Sequence, residues 1–209
     1  HNFLIRRENV SMADVTTQAF SPLDHLNLTV GGPSDAGVSL GERRFVGKLN
    51  LRVTPSKIPP AINDLLGGPL PAVGQVTFGG QVMTAWLGPD EYLILTEPGA
   101  ESALQAALLE GFSGQHVAVT DQTDNATIIR LAGGDARWVL RKGIAIDLHP
   151  RAFAAGNCAQ TMFERAQITL IQVDDAPSYE LIVRNSFAPY LWSWLADASQ
   201  DVGVRIVRL

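Results

Sequence analysis

Only one cysteine, Cys158, occurs in 209 residues. No internal disulfide can form, and a zinc centre, which takes about four N, S or O ligands, would have to draw on other residue types. Histidine is scarce too. His1, His25, His116 and His149 share no ligand spacing with one another or with the thiol, and HExxH and CxxC patterns are absent. No apolar run approaches the ~20 residues of a membrane-crossing helix, and no secretory pattern leads the chain. Positive charge is in deficit: 16 Lys and Arg stand against 21 Asp and Glu, a net charge of −5, with a pI near 5.3. Such a field repels phosphate backbones and anionic lipid, which disfavours nucleic acid and membrane as partners. These absences together predict a cytoplasmic protein.

Motif chemistry is thin as well. GxGxxG and GxSxG are missing, which removes the dinucleotide turn and the hydrolase nucleophile elbow. GGPSDAGVS (31–39) has the glycine spacing of a phosphate loop, but Val38 stands where the phosphate-binding lysine should be, so the stretch reads as a plain loop. Asp121 with Asp124, Asp174 with Asp175, and Asp147 with His149 are the candidate acid–base pairs. Each lies among turn formers, where Asp caps backbone amides more often than it catalyses. Cys158, in GNCAQT (156–161), has no recognisable base or ligand set and reads as a small buried apolar plug near the start of a strand.

The chain is rich in apolar residues, at 46% against 18% charged, with a mean hydropathy of +0.09. That is high for a soluble domain and hints at surface covered by a partner. Met12 reads as a candidate start, with residues 1–11 a non-native extension ahead of it. Residues 1–19 are therefore set apart, and 20–209 are expected to form a single two-halved domain.

Within that domain RFVGKLNLRV (44–53) alternates, except at Val46. Phe45, Leu49, Leu51 and Val53 point one way, and Arg44, Lys48, Asn50 and Arg52 point the other, which predicts a half-buried strand with a basic outer face. SKIPPAINDLLGG (56–68) predicts a short helix ended by glycine. Residues 75–96 predict a meander with turns at Gly79-Gly80 and Gly88-Pro89-Asp90. A helix over 99–110, strands at 116–120 and 126–131, and a helix from an Asp135 cap to Lys142 follow. The remainder predicts one strand over 160–173, a second at 178–183, a helix over 187–198 that Ser186 can cap, and a strand at 204–207. The order strand, strand, helix, strand thus occurs twice. It points to an α+β fold of two related halves with mainly antiparallel sheets. On helix 187–198 the stripe Phe187, Tyr190, Leu191, Trp194, Leu195 and Ala198 reads as the core face, with Trp192 roughly 130° from its centre. Trp192 lies either beneath a neighbouring loop or against another subunit.

Five segments in this order, SPLDHL (21–26), LGPDEYLIL (87–95), VLRKGIAIDLHPRAF (139–153), GNCAQT (156–161) and FAPYLWSWLADA (187–198), resemble the gamma subunits of heterotetrameric bacterial sarcosine oxidases. The resemblance implies a compact domain similar to the folate-binding fold of the glycine-cleavage aminomethyltransferases. It further implies alpha, beta and delta partner subunits that hold FAD, FMN, NAD and tetrahydrofolate, this chain binding none of them. The complex would demethylate sarcosine to glycine, with hydrogen peroxide formed and the one-carbon unit passed to tetrahydrofolate or released as formaldehyde. Tyr179-Glu180 resembles the aromatic-Glu pair of the aminomethyltransferases, but QVDDAPS (172–178) replaces what precedes it, so the folate glutamate has no counterpart. Iron–sulfur assembly relatives of the same fold carry a Lys-Gly-Cys motif whose lysine and final glutamate are missing around Cys158. The expectation is a subunit with no catalytic, cofactor-binding or metal-ligating residue, docking through Trp192 and the basic face of Arg44, Lys48 and Arg52. The alternatives are a stand-alone folate-dependent one-carbon transferase or an iron–sulfur maintenance protein.

Overall fold

A computed structural model describes residues 19–209; the expectations for residues 1–18 lie outside the described residues. Among the described residues, eleven strands form two sheets. The first half of the pattern runs β2 (Gly47–Val53), α1 (Pro60–Leu66), β3 (Val76–Gly79), β4 (Val82–Gly88), β5 (Glu91–Thr96), α2 (Glu101–Gly111) and β6 (Val117–Asp121). The second runs β7 (Ala126–Ala132), α3 (Ala136–Leu140), β8 (Cys158–Phe163), β9 (Ala166–Asp174), β10 (Ser178–Arg184), α4 (Ala188–Ala198) and β11 (Val204–Arg208). The two halves match element for element. Their sheet orders, β3-β4-β5-β2-β6 and β8-β9-β10-β7-β1-β11, match as well, once β1 (Val38–Arg43) is seen as an extra strand between β7 and β11. Only the β1–β11 pairing is parallel. All the others are antiparallel, as the hairpin-rich sequence requires.

Three cores follow from this arrangement. The outer face of the six-stranded sheet carries α3 and α4 over Leu40, Ile129, Leu131, Leu170, Leu181 and Leu191. The outer face of the five-stranded sheet carries α1 and α2 over Leu49, Leu51, Ile62, Leu66, Ile94 and Leu108. The inner faces meet through Val46, Ala85, Leu93, Leu95, Ile128, Cys158, Ile171 and Ile182. The layers are helix, sheet, sheet, helix.

Several expected boundaries move. The strand expected over 44–53 begins only at Gly47, because residues 44–46 turn the chain from one sheet into the other, with Phe45 at φ 58. The loop expected over 31–39 ends at Gly37, since Val38 and Ser39 open a strand, Val38–Arg43, whose burial comes from β7 and β11 on either side. Residues 160–173 split into a hairpin at Glu164 (φ 49), so one long strand becomes β8 and β9. Asp135 and Ser186 make no side-chain cap; α4 follows a 3₁₀ turn over Asn185–Phe187. Gly67 at φ 68 closes α1 as a C-terminal glycine should, its N–H bonding the carbonyls of Asn63 and Asp64. A side chain there would strike the backbone of Gly79 at 2.5 Å.

Candidate functional site

The sequence alternation in β2 fixes which residues share a face, and the fold decides what each face meets. Leu49, Leu51 and Val53 enter the core under α1 and α2. The opposite face is not solvent but the seam between the sheets. There Lys48 is 2% exposed, its Nζ donating to the carbonyls of Val46 at 2.6 Å and Thr123 at 3.3 Å. Desolvation is the largest cause lowering its pKa from 10.5 to about 8, partly offset by Asp124 and Asp121. Asn50 is buried beside it and donates to Glu91 Oε1 at 2.8 Å. The expectation of a basic outer face is thus corrected: at Lys48 the second sheet covers it. Arg52, near the strand end, does reach solvent and pairs with Glu91 at 3.0 Å. Arg44 lies in the 44–46 turn, pairs with Asp24 at 2.6 Å, and sits 5.0 Å from the ring centre of Phe45.

Trp192 needs the same correction. It is 4% exposed, within the core face of α4 beside Leu191 and Leu195, while Phe187 of the expected stripe is 42% exposed. Leu23, Leu28 and Ile206 lie around the same recess as Trp192. The segment that does this is SPLDHL, tied down by Ser21 Oγ donating to Glu42 at 2.5 Å and by the Asp24–Arg44 pair. Of the four predicted interface residues, only Arg44 and Arg52 present substantial surface in the chain itself, so the four form no single patch.

Cys158 begins β8 within the seam. Its Sγ lies 3.2 Å from the carbonyl of Gln75 and 3.3 Å from that of Trp86, and burial pushes the thiol up to about 11. It is a protonated plug that joins the strands of one sheet to the edge of the other. Asp147, Asp121 and Asp174 behave as turn formers. They accept from the amides of His149, Thr123 and Ala176 at 2.9, 2.9 and 3.0 Å, and the Ser178 hydroxyl bond is the largest cause holding Asp174 below the usual carboxylate range. Among the described residues no group of three or more His, Cys, Asp and Glu converges as a metal set, and no helix is long and apolar enough to cross a membrane.

Two features of the seam escaped the sequence reading. Glu180, 1% exposed, accepts from Arg43 Nη1 at 2.5 Å, an ion pair bridging β10 and β1 across β7. Arg43 engages Oε1 alone; the buried Oε2 has no partner among the described residues. The second feature is a crevice of about 250 Å³ between the sheets, with Lys48, Asn50, Leu93 and Ile182 among its lining and Arg184, Gln160 and Gln167 around it. No local sequence signal marks it, because its walls come from both halves.

Paired related halves, a sheet-on-sheet seam and helices on the outer faces define an α+β protein of the aminomethyltransferase type. The fold is shared with aminomethyltransferase T of the glycine cleavage system from Bartonella henselae, at a TM-score of 0.62 and 15% identity over 83% of this chain and 48% of that one. A profile described as "Sarcosine oxidase, gamma subunit family" matches residues 54–201. Sarcosine oxidase subunit gamma of Corynebacterium sp. strain P-1 is 32% identical over 91% of this chain and 95% of its own length. The protein of the same name from Arthrobacter sp. is 31% identical over the same shares. A chain of the heterotetrameric sarcosine oxidase from Corynebacterium sp. U-96 superposes with a TM-score of 0.79 at 30% identity, covering 88% of this chain and 96% of that one. The chain belongs to the sarcosine oxidase gamma subunit family.

Proposed function

We propose that this chain is a non-catalytic subunit of a heterotetrameric sarcosine oxidase and acts by docking onto alpha, beta and delta subunits. Those partners hold FAD, FMN, NAD and tetrahydrofolate. The assembled complex demethylates sarcosine to glycine, forms hydrogen peroxide, and passes the one-carbon unit to tetrahydrofolate or releases it as formaldehyde.

The observation that carries the docking role is the 44–46 turn. Phe45 is 41% exposed although its backbone sits at φ 58, a left-handed conformation that costs a non-glycine residue about 1–3 kcal/mol. Phe20, 73% exposed, lines the same small recess, and Arg44 stacks on the Phe45 ring. An aromatic left 41% exposed at a conformational cost gains little for the chain alone and suits the centre of an interface. Phe45→Gly separates the two roles. The variant should raise the stability of the isolated chain by about 1 kcal/mol, because strain is relieved. It should weaken assembly by about 2 kcal/mol or more. Urea titration of the chain and co-purification with its partner subunits read the two effects, and undiminished co-purification would remove this turn from the interface.

A further inference from the structure

We propose that the crevice between the two sheets binds a small organic carboxylate, with Lys48 and Arg184 of its lining as counter-ions and the apolar residues of the same lining for a short hydrocarbon tail. This goes beyond the docking role and does not depend on it.

Lys48 is buried, yet among the described residues no carboxylate lies within 4.0 Å of it; its two bonds go to neutral carbonyls. A buried ammonium without a counter-ion is costly, and an anion that enters beside it removes that cost. Arg184, at the end of β10, also lines the crevice and pairs with no carboxylate among the described residues. The one carboxylate of the lining, Glu91, is already engaged by Asn50 and Arg52. The side-chain amides of Gln122 and Gln167 have no protein partner among the described residues and can donate to an oxyanion.

Shape then selects within the anions. Leu87, Leu93 and Ile182, all of the seam core, supply an apolar patch in the same lining as the polar groups, which an inorganic oxyanion cannot use. A volume of about 250 Å³, at roughly 30 Å³ per water-sized group, holds on the order of eight non-hydrogen atoms. That is the size of a short-chain acid.

Proton linkage gives a second signature. The charged groups acting on Lys48 are Asp124 from the β6–β7 connection, Asp121 at the end of β6, Arg43 from β1 and Glu101 from α2, with Glu91 and Arg184 on the same lining. An anion stabilises the protonated amine, so affinity falls as pH rises past about 8, approaching tenfold per unit.

Calorimetry on the full chain with hexanoate, its neutral analogue hexanamide, and inorganic phosphate tests this. Hexanoate should bind saturably with one site, and the amide and phosphate at least tenfold more weakly. Arg184→Gln, an exposed change that leaves the core intact, should weaken hexanoate at least fivefold, and Lys48→Met should abolish the pH dependence above 8. Absence of a saturable hexanoate site, equal binding of the amide or of phosphate, or unchanged affinity in Arg184→Gln would overturn the proposal, whether or not Lys48→Met folds.

Discussion

A lysine in the seam leaves a trace in the pH dependence of stability. The pKa of Lys48 falls from 10.5 to about 8 on folding, mainly through burial. Below about pH 8 both states are protonated and the desolvation cost is carried in full. Between about 8 and 10.5 the unfolded chain binds more protons than the folded one, so stability rises with pH, by up to on the order of 3 kcal/mol. Urea midpoints of the wild type and Lys48→Met at pH 7.5 and 9.5 measure this. The variant should lose the rise, and parallel behaviour of the two would show that the amine is not desolvated. Polarity of this residue was legible in the sequence; its burial was not, since an alternating strand states only that two faces differ.

Helix α4 shows the same division one level up. Its position near 187–198 follows from the periodic apolar residues, and Leu191, Leu195 and Ala198 of the expected stripe are buried, but Trp192 joins them while Phe187 does not. The cause is the SPLDHL segment, far away in sequence, whose Leu23 packs into the same cluster. Trp192→Ala should therefore destabilise the chain itself by about 3–5 kcal/mol, as expected for removing a buried tryptophan. A urea titration checks this; a stable variant defective only in assembly would return Trp192 to the interface. The hairpins β3–β4–β5 were readable because glycine pairs and alternation mark them locally. β1 was not, because its neighbours β7 and β11 are distant in sequence.

At the scale of the whole molecule, the two halves share one structure rather than standing side by side. The turn over 44–46 carries the chain from one sheet into the other, and the seam core takes residues from both. Neither half can lose its strands without exposing Val46, Ile128 and Ile182. Tryptophan fluorescence and far-ultraviolet circular dichroism should thus report one coincident urea transition, as a cooperative domain requires. Two separated midpoints would show that the sheets unfold independently.

Local chemistry was enough to settle the α+β class, the repeated strand–strand–helix–strand order and the absence of a familiar catalytic motif, because turns, alternation and motif spacing are properties of neighbours in the chain. The five ordered segments were likewise enough to point to the family. Only tertiary structure decided that the second face of β2 is a seam, that Trp192 is covered, that Glu180 meets Arg43, and that a charged crevice lies between the halves. Each depends on segments brought together by sheet-on-sheet packing, whose driving force is the burial of non-directional apolar area. Such burial leaves no mark at any one position in the sequence.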